Sequence, residues 1–181
     1  MITIIITSYN EPRSTERAVK IFLKQKLSQP FKVIVMDPFP EVEVFLKEKI
    51  KDERFEFILD PGEGKPYAMN MLFEILYSEN KEDLLVFTDG DVYVSDNTLQ
   101  EIENAFIDQT LGCITGRPVA TNSRDNKYGY WATLSYDGID MVRKKLSKQK
   151  RFFQTSGYLF AIRNGLVKET LEDVPEDCVI P

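Results

Sequence analysis

The run Leu84-Leu85-Val86-Phe87-Thr88-Asp89-Gly90-Asp91 constrains this chain more than any other stretch. Four consecutive apolar residues bounded by polar ones read as a strand buried on both faces. Two carboxylates separated by one glycine then close its C-terminal end, the edge where open α/β sheets bind ligands. Neighbouring carboxylates repel each other unless positive charge lies beside them, and a divalent cation bridging to phosphate supplies it. Gly90 removes side-chain bulk and lets backbone approach a ligand. Asp-Gly-Asp after a strand is equally good turn chemistry, so both readings stay open on these residues alone.

The flanking pattern adds to the first reading. Ile2 to Thr7 is an apolar, β-branched strand. Asn10 is placed to cap a helix whose first turn takes Pro12, with Ala18, Val19, Phe22 and Leu23 on one face. Phe31 to Met36 forms a second strand ending at Asp37, and Pro40 opens a helix with Val44, Phe45 and Ile50 on one side. Phe55 to Leu59 is a third strand, followed by the loop Asp60-Pro61-Gly62-Glu63-Gly64-Lys65 and a helix from Tyr67 to Leu76. After the central strand, Ser95 or Asp96 caps a helix reaching Ile107. Alternating β and α implies an α/β fold: a mostly parallel central sheet with helices on both faces and right-handed crossovers. Beyond Gly112 the pattern loosens. It gives a short strand at 112–116, helix around Trp131 and Val142 within 127–146, a strand over 152–162 interrupted at Ser156-Gly157, and a short helix beginning at Asn164-Gly165. No repeat or linker divides the 181 residues, which suit one domain.

Composition removes several chemistries. The chain has no histidine, which excludes Ser-His-Asp and Cys-His sites, His-ligated zinc and any His base. Acid–base work falls to carboxylates, Lys, Tyr or Cys. A metal would be held by oxygen, which favours Mg²⁺ or Mn²⁺. Net charge is −6 without a basic block, which argues against nucleic acid. Cys113 and Cys178 form no CxxC pair and fit a reducing compartment. No signal peptide precedes the Ile2 strand, and no apolar run approaches membrane-spanning length. The expected location is cytoplasmic, with the membrane surface kept open.

Other residues carry paired readings. Asp37 shares the ligand edge with Asp89 and Asp91. It can accept hydrogen bonds from a base or ribose, or cap the following helix. Tyr9, just past the first strand, can stack on a base or cap the core. Lys65 can bring an ammonium to phosphate or stay solvated. Glu176-Asp177 can supply a base or form part of an acidic tail. The absence of a Gly-rich turn after the first strand argues against a dinucleotide fingerprint and a P-loop.

Taken in order, several patches resemble the GT-A fold glycosyltransferases of family 2, which use nucleotide-diphosphate sugars. These are Thr7-Ser8-Tyr9-Asn10, Val33 to Asp37, Gly64-Lys65-Pro66-Tyr67-Ala68-Met69-Asn70, Asp89-Gly90-Asp91 (a DxD motif), Thr155 to Phe160, and Glu176-Asp177. The resemblance covers nearly the whole chain. It implies a single catalytic domain over 1–181, with a nucleotide-binding half at 1–91 and an acceptor-side half at 92–181. By the same resemblance Thr7, Tyr9 and Asp37 hold base and ribose, and Lys65 and Asp89 lie along the nucleotide. Asp91, with Asp89 close by, holds Mn²⁺ or Mg²⁺. Asp177 takes the proton of the acceptor hydroxyl, which gives inversion. The implied donor is a UDP- or GDP-sugar, and the acceptor is a saccharide, a lipid-linked molecule or a protein. Two departures stand out. Pro38 occupies a position where many relatives carry a second Asp, and relatives usually continue past the Glu-Asp pair, so the acceptor side is expected to be cut short.

Three other classes compete. A haloacid-dehalogenase-like phosphatase also places Asp-x-Asp after an apolar strand, but Tyr93 stands where Thr or Val is expected, and three strands precede. A sugar nucleotidyltransferase needs a Gly-rich basic loop that Thr7 to Arg13 lacks. A nucleotide-binding domain without turnover is the non-enzyme reading.

Overall fold

The computed structural model describes residues 1–149, 151 and 155–170. The apolar runs become strands β1 (Ile2–Thr7), β2 (Phe31–Asp37), β3 (Phe55–Leu59) and β4 (Leu84–Asp89). Between and after them lie helices α1 (Pro12–Leu23), α2 (Pro40–Lys49), α3 (Lys65–Ile75) and α4 (Thr98–Ala105). The second half contributes β5 (Cys113–Thr115), α5 (Lys127–Lys148) and β6 (Leu159–Arg163). One six-stranded sheet results, in the order β3-β2-β1-β4-β6-β5. β1 pairs in parallel with β2 and with β4, and β2 in parallel with β3. β6 is the antiparallel member, running against both β4 and β5.

The continuous apolar runs are explained by burial on both faces. Alternate side chains of a strand point to opposite faces. Ile2, Ile4 and Ile6, with Val33, Val35 and Val86, meet α1, α2 and α4 through Val19, Phe22, Leu46, Leu99 and Ile102. Ile5, Met36, Leu85 and Phe87 face the other way, onto Met69, Leu72 and Phe73 of α3. Phe87 there stacks on Phe160 of β6 at 4.9 Å between ring centroids. Each such fully buried side chain contributes about 1.5–3 kcal/mol relative to exposure. A helix layer on each face covers the sheet, as the alternation predicts.

Several local expectations are corrected. Asn10 does not cap α1: it sits at φ 56, and Glu11 holds the N-cap position without a side-chain bond. Asn tolerates this left-handed conformation better than most residues, and its amide is used elsewhere, as described below. α2 turns Val42 and Leu46 inward together with the expected Phe45 and Ile50, and leaves Val44 exposed. α4 begins after Asn97 rather than Ser95 or Asp96. Asn164-Gly165 opens a turn and not a helix, with Gly165 at φ 80. β6 begins only at Leu159. α5 is one continuous helix, capped by the Asn126 side chain accepting from the amides of Tyr128 and Gly129 at 3.1 and 3.0 Å.

Candidate active site

Strand order reverses between β1 and β4. The chain winds outward from β1 through β2 to β3, then returns to place β4 on the other side of β1. Such a switch point leaves a crevice at the C-terminal ends of the strands. In register, Thr7 faces Asp89 on one side and Met36 on the other. The residues singled out in sequence at the ends of β1, β2 and β4 therefore meet at one edge.

The edge opens on a cleft of about 300 Å³ lined by Thr7, Tyr9, Pro38, Lys65, Asp89 and Asp91, with Glu11, Asp60 and Gly64 among the remaining walls. Asp89 is the hub. Its Oδ1 accepts from Lys65 Nζ at 2.7 Å and from Thr7 Oγ1 at 3.2 Å. Lys65 reaches it from the first turn of α3, whose N-cap Gly64 adopts φ 102, a conformation open to glycine and costly for other residues. Asp91 is exposed, and among the described residues no hydrogen bond or ion pair engages its carboxylate. Tyr9 is 71% exposed and stands edge-on to the Phe39 ring, 5.1 Å between centroids. It therefore presents a ring to solvent at the cleft and does not cap the core.

Asp37 and Gly90 are both engaged by the protein's own packing. Asp37 is fully buried and absent from the cleft wall. Its Oδ1 accepts from the Phe39 amide at 2.9 Å and its Oδ2 from the Asn10 amide at 3.0 Å. A buried carboxylate is stable when backbone donors satisfy it. Asp37 thus clips the β1–α1 loop to the β2–α2 loop and fixes the strap that carries Tyr9. Gly90 is required by the protein itself: a Cβ there would lie 2.7 Å from Thr15 Oγ1 and 3.1 Å from Ser8 Cβ. Asp177, with Glu176 and Cys178, lies outside the described residues.

Other groups had no assigned role in the sequence, Asn70 and Tyr158 standing there only as members of the matching patches. Asp60 lines the cleft one residue past β3, and the strand-end rule that found Asp37 would have found it too. Asn70, in α3, accepts from the Thr170 amide at 2.6 Å and from its hydroxyl at 3.0 Å, and donates to its carbonyl at 3.0 Å. A polar residue beside buried Met69 and Leu72 was the available signal. Tyr158 follows from β4–β6 pairing: Thr88 Oγ1 donates to its carbonyl at 2.8 Å, and its hydroxyl meets that of Tyr136 from α5 at 2.9 Å. That bond, together with partial burial and the nearby charges of Tyr136, Asp89 and Asp91, holds the Tyr158 phenol above its ordinary range. Burial pushes the Cys113 thiol up to about 12, which makes it a poor nucleophile.

The charge balance bears on cation binding. Glu11, Asp60, Asp89 and Asp91 line the cleft, and Lys65 already neutralises Asp89. An anionic ligand would meet net negative charge unless a cation entered with it. Among the described residues no three carboxylates or thiols converge to hold a metal unaided. The exposed Asp91 oxygens fit a hard divalent cation that takes its remaining ligands from phosphate oxygens and water. Among the described residues no helix is long and apolar enough to cross a membrane.

The chain resembles solved structures of glycosyltransferases. A mannosyltransferase from Pyrobaculum calidifontis, PcManGT, in complex with GDP-Man and Mn²⁺, superposes with TM-score 0.70 at 21% identity. The match covers 97% of this chain and 49% of that one, so this chain spans about half the length of that protein. S. aureus TarS 1-349 in complex with UDP-GlcNAc matches at TM-score 0.47 and 20% identity, over 69% of this chain and 38% of that one. No curated protein matches the sequence. The family model described as glycosyl transferase family 2 matches residues 3–171. The phosphatase and nucleotidyltransferase readings are left without support. With the family model spanning nearly its whole length and the GT-A architecture in place, the chain belongs to glycosyl transferase family 2.

Proposed function

We propose that the chain transfers a glycosyl group from a nucleotide-diphosphate sugar to an acceptor hydroxyl. The observation that carries this reading is the Thr7–Asp89–Lys65 cluster at the β1/β4 switch point, with Asp91 exposed beside it. A nucleoside fits the wall formed by Thr7 and the exposed Tyr9 ring, since aromatic faces stack on bases. Asp37 acts on the nucleotide through the loops it clips. Lys65 and Asp89 lie along the diphosphate and ribose. The Lys65 ammonium can swing from Asp89 to a phosphate oxygen, exchanging one charge-assisted bond for another.

Asp91, with Asp89 close by, would hold Mn²⁺ or Mg²⁺. Bound there, the ion supplies Lewis-acid stabilisation to the departing nucleoside diphosphate. The acceptor proton goes to a carboxylate, and Asp177 is the proposed base. A base on the face opposite the leaving group inverts the anomeric centre. A chain without histidine supports a carboxylate in that role. The donor is a UDP- or GDP-sugar. The complex of the Pyrobaculum enzyme with GDP-Man and Mn²⁺ supports including GDP. Residues 1–91 form the nucleotide half and 92–181 the acceptor half of one catalytic domain acting in the cytoplasm.

The test is thermal-shift binding of UDP, GDP, CDP and TDP, each with and without Mn²⁺. A ligand that binds the folded state raises the melting temperature by mass action. A Mn²⁺-dependent shift with one nucleotide, lost in Asp91→Ala, is the expected result. A folded chain that responds to none of the four overturns the proposal. Product stereochemistry is read separately by NMR, where retention would refute the inverting assignment.

A further inference from the structure

Helix α5 is built inside out. A surface helix ordinarily turns its apolar stripe to the core. α5 gives no residue to either hydrophobic core. Its inward side is polar. Asp140, nearly buried, pairs with Arg117 Nε at 3.3 Å and Lys144 Nζ at 2.7 Å. Arg143 donates to the Thr155 carbonyl at 3.1 Å, and Tyr136 meets Tyr158. At about 100° per residue, Tyr128, Trp131, Leu134, Ile139, Met141 and Val142 fall on the opposite half of the helix. All six are exposed, Trp131 by 61% and Met141 by 72%. Isolated apolar residues on a surface need no explanation, but a contiguous helical face of them marks an interaction site.

The charges on that face choose its occupant. Lys127 and Lys145 lie among the apolar residues and Lys148 at their edge, and the one carboxylate bordering them is Asp137. Asp140 sits on the inner side, and both it and Asp137 are engaged by Arg117. A second copy would meet this face with the same face, setting lysines against lysines while the bordering acid, Asp137, is already paired with Arg117. An anionic lipid surface answers both parts of the pattern. Its headgroups neutralise the lysines, whose stems extend along apolar surface to reach them, and its interfacial region accepts Trp, Tyr, Met and Leu. The whole chain carries a net charge of −6, so this lysine-bearing face stands out against an acidic protein. We propose that α5 seats this protein on an anionic bilayer through Trp131 and its neighbours. The inference does not depend on the transfer reaction, because its test needs no turnover.

Trp131 is the single tryptophan of the chain, so its emission reports on this face alone. The full chain is titrated with vesicles of equal parts phosphatidylglycerol and phosphatidylcholine, and with phosphatidylcholine alone. The expected result is a blue shift with the anionic vesicles and quenching by bromine-labelled acyl chains. The double variant Lys127→Glu/Lys145→Glu should partition at least tenfold more weakly, each lysine near an anionic surface counting for about fivefold. Both positions are exposed, and an unchanged melting temperature verifies folding. No shift with either vesicle overturns the proposal. So does a blue shift that grows with protein concentration in the absence of lipid, which would assign the face to a second copy.

Discussion

Lys65 and Asp89 form an ion pair with 2.7 Å between Nζ and Oδ1, and each side chain is about one-third exposed. A pair that open to water contributes about 0–1 kcal/mol to stability. Its value lies in poise: an ammonium and a carboxylate are held side by side at the mouth of the cleft. Lys65→Ala should therefore change unfolding free energy by no more than about 1 kcal/mol. Nucleoside-diphosphate affinity should fall about tenfold, the size of one lost charge-assisted hydrogen bond. Urea denaturation and titration calorimetry on the same samples check both. Affinity equal to wild type would remove Lys65 from the nucleotide site.

Asn70 offers a separable effect. Its three hydrogen bonds to Thr170 tie α3 to the segment that continues toward Asp177. Asn70→Ala is expected to leave nucleoside-diphosphate affinity within about twofold. Turnover should drop by an order of magnitude or more, because misplacing a reacting group is costly. Measuring Kd and kcat side by side decides it, and parallel losses in both would argue against a positioning role.

Arg163, at the end of β6, is nearly buried and donates to the carbonyls of Leu111, Lys81, Phe106 and Asp108 at 2.8–3.2 Å. Four carbonyls from two chain segments, one at Lys81 and one spanning 106–111, meet on one guanidinium. Arg163→Met keeps much of the stem and strips every donor, which should cost about 3 kcal/mol. A shift of less than about 1 kcal/mol in chemical denaturation would mean water replaces the bonds.

Acid sensitivity has an assignable source in Asp52. The Arg54 guanidinium, bonded to it at 2.7 Å, lowers its carboxyl to about 2 against an ordinary 3.8. A depressed carboxyl pKa stabilises the fold above the unfolded value. The contribution fades as pH falls from about 4 through about 2. Both partners are about one-third exposed, so the contribution is below about 1 kcal/mol. Asp52→Asn should flatten the stability profile in that window and leave it parallel to wild type above pH 5. A profile unchanged below pH 4 would clear the pair of any role.

The strands were legible because burial on both faces leaves uninterrupted apolar runs. Ile2–Thr7 and Phe55–Leu59 were read to the residue. The ligand edge was legible for the same reason, since strand ends place Thr7, Asp37 and Asp89 without knowledge of side-chain direction. Side-chain direction was what sequence could not give. Asp37 reads equally as a ligand-facing carboxylate or as a cap for the next helix, and two backbone amides brought in by tertiary packing claim it. Asn10 reads as a cap, but its amide is drawn to Asp37 and its backbone turns left-handed. Gly90 reads as room for a ligand; it lines the cleft, and packing adds a second demand for glycine that sequence did not show, because Ser8 and Thr15 fill the space a Cβ would need. The polarity of α5 was hidden because apolar periodicity says that a stripe exists and not which way it faces.

The position of β6 bears on the order in which the protein assembles. It enters the sheet between β4 and β5, and among the described residues β5 pairs with β6 alone. During synthesis β1 to β4 can pair as soon as they emerge, each helix crossover closing a loop of modest length. The free side of β4 must then wait about 70 residues for Leu159–Arg163. Until then Leu84–Thr88 presents unpaired backbone along an apolar edge, the form of strand most prone to pair with another chain. The closing strand therefore guards a nascent intermediate as well as completing the sheet. Variants that weaken β6 should lose soluble yield before they lose any contact to a ligand.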